Sequence, residues 1–399
     1  MKVPQIFDRN MKRLAFLDNA VSVGYSLEIN SLWTATFTLP ADDDKNAYCQ
    51  PLNFVEIFDG DERIDLFRII GEDLERSNGA TRFYDCEHVL ATLLSDVLFQ
   101  YHQYGGGGIK TADVLNYVLA RQTTRNWVLG DCDFKRYFEY NWENSTLLAA
   151  LFAVPECFDS EYMWTWDTTV YPWTISLVAP SDTMKSEVRY AKNMTSMKKT
   201  VDASGIANRI YALGYGEGVN QLTIAGVNGG KPYVEDAMSI QQYGLCSTIL
   251  VDSRYEVAEN LKGYAEQMLA ELKNPYVSYE IGAIDLHRLT GDTFSKFRPG
   301  EIVRVVDEAD GINLRTRIVS VEKSDAQGDP GSVTVTIANK SKDIAGSISE
   351  LQNRALINET YAQGATNQQI YNFTDNADAT HPAKLQLYIS DSVVRLSLI

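Results

Sequence analysis

Period-two alternation dominates the first hundred residues. In NSLWTATFTLP, Leu32, Ala35, Phe37 and Leu39 alternate with polar residues, irregularly at first and then regularly. That predicts a strand with one face on a core. Trp33 is out of step and leaves room for a bulge. Pro40 and the acidic run Asp42–Asp44 end the strand. NFVEIFD, the turn Asp59-Gly60 and IDLFRIIG come next. EDLERSNGATRFYDCE follows, where Asn78-Gly79 between two strand-like runs is a strong hairpin signal. Short strands joined by tight turns predict a small antiparallel barrel or sandwich. In HVLATLLSDVLF the period changes, and Val89, Leu90, Leu93, Leu94 and Val97 share one helical face.

Beyond Thr111 the pattern is mixed. Thr111 predicts an N-cap, with Asp113 in the first turn and Val114, Leu115, Val118 and Leu119 as the buried stripe. NSTLLAALFAVPECF predicts a short helix capped by Asn144 or Ser145 and stopped before Pro155. SEYMWTWDTTVYPWTISLVAP predicts a β pair with Tyr162, Trp164 and Trp166 on one face. β character returns in ANRIYALGYGEG and VNQLTIAGVNGGKPYVED. SRYEVAENLKGYAEQMLAELKNP is the clearest helix, capped by Ser253 and ended by Asn274-Pro275. Its apolar set is Val257, Leu261, Tyr264, Ala265, Met268, Leu269 and Leu272. Four more strand-like runs then predict a second β-barrel: YVSYEIGAIDLHRL, EIVRVVDE, LRTRIVSVEKS and SVTVTIANK. From 341 a 4-3 spacing appears at Ile344, Ile348, Leu351, Ala355, Asn358, Ala362 and Ala365. It fits a helix packed on its own domain or one meeting its copies near a symmetry axis. KLQLYISDSVVRLSLI predicts a closing hairpin.

Composition narrows the classes. With 399 residues, 45% of them hydrophobic, the chain can build two to four cores. A formal charge of −17 argues against nucleic-acid binding by phosphate neutralisation. Five scattered cysteines without a CxxC pair predict free thiols and assembly in a reducing cytoplasm. The N-terminus lacks the apolar run of a signal peptide, and no window approaches the roughly 20 apolar residues of a membrane span.

The candidate chemistry is thin. YGGGGIKT resembles a phosphate loop, but that loop needs G-x-x-x-x-G-K-[ST]. Tyr104 and Ile109 stand where its glycines belong, so the run reads as a flexible connector. GYGEG (Gly214, Gly216, Gly218) follows a strand but precedes another strand-like run. A glycine-rich hairpin is therefore expected, not a dinucleotide site. The sequence contains no HExxH or GxSxG signature. Trp127, Tyr140, Trp142, Tyr162, Trp164, Trp166, Tyr171 and Trp173 form an aromatic-rich region that reads as core or interface, with sugar stacking as the alternative. No catalytic residue, cofactor or metal ligand is assigned.

The order of segments resembles the hub proteins of bacteriophage tail tips and baseplates, including the N-terminal part of tail-associated lysins. The resemblance rests on EINSLWTATFTLPADD, NFVEIFDGDERIDLFRIIG, RFYDCEHVLATLLSD, IKTADVLNYVLARQTTRNWVLGDCDF, NRIYALGYGEG and LRTRIVSVEKSDAQGDPGSVTVTIANK, spread over about residues 10–345. It implies a homotrimeric ring with pseudo-sixfold symmetry, continuing or closing the tail tube. Its partners would be a distal tail ring protein, the tube or tape-measure protein, and a spike, fibre or receptor-binding protein. Genome DNA would only pass through the channel. It further implies a virion protein at the tail tip. Members of that family often carry a C-terminal peptidase or glycosidase; this chain departs there, since the stretch expected after the second barrel is too short for a lysin domain. The rival is a baseplate protein that binds or degrades cell-wall carbohydrate. The resemblance also favours the axial reading of the tail helix, with Ile344, Ile348, Leu351 and Ala355 as candidate trimer-axis contacts.

The fold class expected is α+β and multidomain: two small antiparallel β-barrels in a tail-tube-like hub, an inserted α/β domain and a helical C-terminal extension. The divisions are 1–100, a first barrel completed by 201–250; 101–200, the inserted α+β domain; 251–340, a helix plus the second barrel; and 341–399, a helical linker with the C-terminal hairpin.

Overall fold

The structure is a computed structural model that describes residues 2–76, 79–291, 296–309, 311–338, 385–390 and 393–398. They fall into two compact units, Met1–Ser349 and Glu350–Ile399. In the second unit, Leu385–Ser390 and Val393–Leu398 pair antiparallel, as the closing hairpin requires. Ile344, Ile348, Leu351 and Ala355, and the helix expected to carry them, lie outside the described residues.

The first unit is built on a thirteen-stranded sheet. Five strands run in the order Ser22–Glu28, Thr34–Pro40, Thr81–His88, Glu62–Glu75, Phe54–Asp59, each antiparallel to its neighbour. Five more run Met194–Asp202, Tyr276–Ile284, Ser332–Ala338, Ile312–Lys323, Ile302–Asp307, again all antiparallel. One topology is used twice, and the register repeats with it. Phe54 opposes Arg68 as Ile302 opposes Arg317. A bulge falls between Ile69 and Gly71 in one copy and between Ile318 and Ser320 in the other. A bulge fixes local twist and register, so a shared bulge is a demanding match.

Each copy has its own core. The first gathers Ile6, Leu17, Val23, Phe37, Leu39, Val55, Ile57, Phe67 and Tyr84. The second gathers Val188, Ile281, Val303, Val305, Ile318, Val333, Val335 and Ile337. The inward positions are those of the period-two alternation: Ala35, Phe37 and Leu39 are buried and Thr34, Thr36 and Thr38 are not.

Neither copy is a closed barrel, which corrects the expected fold. Closure uses up the outer edge of a terminal strand. Here the outer edge of Ser22–Glu28 is taken by the other copy: Ser320–Lys323 pairs with Tyr25–Glu28, and one continuous ladder joins the two sets. The balance of elements is also corrected, from α+β to mainly β, with 45% strand and 18% helix among the described residues. A helical C-terminal extension is not among the described elements; those beyond residue 338 are the two strands of the hairpin.

Three smaller sheets complete the unit. Val97–Gly105 and Glu139–Thr146 form a ribbon. Trp127–Cys132, Trp173–Val178 and Met163–Asp167 form a mixed sheet. Arg209–Leu213 lies between Tyr233–Glu235 and Ser247–Val251. The helix Ala258–Leu272 packs on this last sheet through Leu261, Tyr264, Ala265, Met268, Leu269 and Leu272. It starts later than Ser253 because Asp252 accepts from both the backbone N–H and the guanidinium of Arg254 and holds 252–254 in a turn. Val257 is consequently left exposed. Thr111 is the first helical residue of Thr111–Leu119 and not its cap; Asp113 accepts from the Lys110 N–H at 3.1 Å. Thr146, not Asn144 or Ser145, caps Leu147–Phe152. The period change at Val89 yields a short 3-10 helix, Val89–Leu94, and Val97 already belongs to the next strand.

Candidate functional site

A cleft of about 690 Å³ lies between the two β copies and the hairpin of the mixed sheet. Two buried polar clusters line it. In one, the Lys323 ammonium, 2% exposed as a residue, donates to Asp59 at 2.6 Å, Asp285 at 2.7 Å and the Pro330 carbonyl at 3.0 Å. Asp59 also accepts from the Tyr25 hydroxyl at 3.0 Å. The cluster therefore ties Asp59 of the first copy to Asp285, just after a strand of the second.

In the other cluster Asp65 is central. It accepts from its neighbour's backbone, Leu66 N–H, at 2.8 Å, from Trp166 Nε1 at 3.2 Å and from the Thr168 hydroxyl. His88 Nε2 lies 3.3 Å away and Arg63 3.4 Å away. His88 Nδ1 accepts from the Leu90 N–H at 3.1 Å, which leaves its proton on Nε2, facing the carboxylate. Burial works to raise the Asp65 carboxyl, but His88, Thr168 and Arg63 outweigh it and hold it below the ordinary value. Trp166 packs against both Trp33 and His88, with centroids 4.7 and 4.8 Å apart. Glu62, at the cleft mouth, bridges to Lys296 at 2.5 Å and Arg298 at 2.8 Å.

The carboxylates Asp59, Glu62, Asp65, Asp167 and Asp285 thus all have hydrogen-bonding or cationic partners. Glycoside hydrolysis needs one carboxyl kept protonated and a second aimed at the sugar carbon. The arrangement instead suits holding three pieces of backbone together. None of these residues stood out in the sequence. The available signal was Lys323 itself, a charge two positions beyond inward-facing Val321 in an alternating strand.

Of the features that did stand out, Trp164 and Trp166 line the cleft and the rest fall elsewhere. Trp127, Tyr140, Trp142, Trp164 and Trp173 are buried, Tyr162 and Trp166 are half-buried, and Tyr171 is exposed. Trp127 and Trp173 pack on each other at 5.4 Å and Trp173 on Phe54 at 5.8 Å, so the five buried rings build core. The four-glycine run is not a slack connector. Gly105 ends a strand, Gly105 to Gly108 all have positive φ, and Gly106 N–H donates to the Phe138 carbonyl at 3.1 Å. GYGEG is a hairpin-like loop, closed by Gly214 to Leu222 and Leu222 to Tyr215 bonds. The strand expected after it reduces to a single bridge, Leu213 to Thr223.

The class the fold defines is a doubled antiparallel β unit joined by one ladder and by two buried polar clusters. Sequence comparison makes the class specific. Residues 106–172 match the prophage endopeptidase tail domain and residues 181–348 match the prophage endopeptidase tail. The chain is a phage tail protein carrying these domains. No curated protein sequence matches it. Among solved structures it is similar to prophage tail protein gp18 from Listeria monocytogenes, with 14% identity, 89% of this chain and 99% of that chain covered, and a TM-score of 0.60. It is similar to the tail protein from Neisseria meningitidis, with 12% identity, coverages of 85% and 96%, and a TM-score of 0.62. It is also similar to the prophage MuSo2 43 kDa tail protein from Shewanella oneidensis, with 12% identity, coverages of 86% and 99%, and a TM-score of 0.58. At such identities the likeness is one of fold. As a tail protein the chain is virion-associated, and among the described residues no helix is long and apolar enough to cross a membrane.

Proposed function

We propose that the chain is the structural hub of a phage tail tip or baseplate. Three copies form a ring that continues or closes the tail tube and connects it to distal tail and receptor-binding parts for DNA ejection. The observation that carries this reading is the internal repeat. One chain supplies two β units of the same strand order and bulge position, so three chains supply six equivalent units. A threefold protein can then match the end of a sixfold tube. The acidic chain suits a channel that passes DNA without retaining it.

The reading is non-enzymatic; its alternative is a baseplate protein that binds or degrades cell-wall carbohydrate or peptidoglycan, and the matched family's name, prophage endopeptidase tail, lends support to its degrading form. The test is solution mass together with peptidoglycan clearing. Three chains of 44.7 kDa give about 134 kDa, and no clearing is expected. A monomer at all concentrations counts against the hub. Clearing of peptidoglycan favours the alternative.

A further inference from the structure

The repeat has one unequal feature. The edge of Ile312–Lys323 beyond its bulge pairs with Ser22–Glu28, but among the described residues no strand lies beside the corresponding edge of Glu62–Glu75. Likewise Ser22–Glu28 is paired on both sides, whereas among the described residues its counterpart Met194–Asp202 is paired only with Tyr276–Ile284. The consequences show in burial. Val321 and Lys323 are buried, while their counterparts Glu72 and Leu74 are exposed. Ser22–Glu28 is mostly buried; Met194–Asp202 is exposed at seven of nine positions, including Val201 at 55%. Each chain therefore carries both halves of a ladder it makes only once.

We propose that the two open edges pair between copies, as the two closed ones pair within the chain. The inference rests on the hub reading and names its subunit contact. Register follows from the repeat. Glu72 corresponds to Val321, because they oppose Tyr84 and Val335. Tyr84 opposes Phe37 and Phe37 opposes Val23, as Val335 opposes Ile281 and Ile281 opposes Met197. Within the chain Val321 opposes Leu27, Glu322 opposes Ser26 and Lys323 opposes Tyr25. Transferred through the repeat, Glu72 faces Val201 of the next copy, Asp73 faces Thr200, Leu74 faces Lys199 and Glu75 faces Lys198.

The chemistry of the two edges agrees with that register. One edge, GEDLE, carries three acids; the other, MTSMKKTVD, carries two adjacent lysines. Glu75 falls directly opposite Lys198, and Glu72 falls diagonal to Lys199 on the other face. Within the chain Lys198 makes a loose 3.8 Å contact with exposed Glu280. The exposed apolar side chains Ile70, Leu74 and Val201 flank the same ladder. Lysines on an edge strand can also serve to repel stray strands; here the partner edge is acidic, which turns that repulsion into selection. The contact is head-to-tail, so it closes into a ring when the rotation between copies matches.

Disulfide trapping tests it. Within the chain the Ile29 N–H donates to the Val319 carbonyl, so Glu322 and Ser26 form a non-hydrogen-bonded pair, as would Asp73 and Thr200 of the next copy. Such pairs bring side chains closest. The full chain bearing both Asp73→Cys and Thr200→Cys should yield a covalent trimer on mild oxidation. The Asp73→Cys, Val201→Cys control, whose second thiol points to the opposite face, should not. Lys198→Glu should weaken assembly up to about fivefold per contact, and adding Glu75→Lys should restore it. A trimer that forms without the in-register cross-link, or that the control cross-links equally, overturns the ladder and leaves the hub standing. A chain that stays monomeric overturns both.

Discussion

Asp65 shows how a single side chain acts as a fastener. It is nearly buried, yet its carboxylate is met by an indole N–H, a hydroxyl, a backbone N–H, an imidazole and a guanidinium. These come from its own strand, the following one and the hairpin of the mixed sheet. Its folded carboxyl is held low, so the sign of the pH dependence is fixed. The stabilisation is present above the ordinary carboxylate value of about 4 and is lost as pH falls through the lower folded value. Denaturation midpoints should be flat from neutral pH down to about 5 and should fall below about 4. Asp65→Asn should cost about 1–3 kcal/mol at neutral pH and blunt the acid-side fall. An unchanged acid limb in the variant would show that other carboxylates govern it. At this scale the sequence was readable where a residue's role is local, as for the tryptophans, whose size alone commits them to core. It was not readable for Asp65, whose partners Trp166 and Thr168 stand 101 and 103 positions away.

Elements were legible in proportion to how far their own periodicity decides them. Ala258–Leu272 buries six of the seven apolar positions marked for it, because a 15-residue stripe has few ways to lie on a sheet. Val89–Leu94 is too short to declare itself an α-helix and is drawn into the strand that follows. The internal repeat was present in sequence as FVEIFDGDERIDLFRII against IVRVVDEADGINLRTRIV. It was hidden because what repeats is burial pattern and bulge position, with few identical residues. The glycine run was misjudged as slack because composition does not reveal a hydrogen-bonded turn. Gly105 has φ of 125°, and a Cβ there would sit 2.2 Å from the Phe138 carbonyl oxygen. At Gly107 φ is 53° and a Cβ would meet nothing within 4 Å. Gly105→Ala should therefore destabilise the chain by about 1–3 kcal/mol or unpair the ribbon. Gly107→Ala should cost about 1 kcal/mol. Equal midpoints for the two variants would mean that the run is a spacer after all.

For the whole molecule the question is what couples two β copies that each have a core. Four residues of ladder, Ser320–Lys323 on Tyr25–Glu28, are one link. Another is Lys323, whose ammonium reaches Asp59 across 264 positions of sequence and Asp285 across 38. Sequence periodicity finds two β units but cannot say whether their edges close on themselves or on each other. That is why two barrels were expected and one continuous ladder is found. Breaking a buried ion pair by removing one partner typically costs about 3–5 kcal/mol. Lys323→Met keeps the length of the side chain but withdraws the charge from Asp59 and Asp285. It should lower stability by about that amount, and the loss should fall on the junction. Both cores are made of side chains from their own copy, apart from Ala326 in the first. Calorimetry should thus show residues 1–338 of the wild type melting in one transition and the variant melting in two. Hydrogen exchange should locate the new opening at Tyr25–Glu28 and Ser320–Lys323, with the two interiors still protected. If the variant loses stability in a single transition, the copies are coupled by the ladder and not by the lysine.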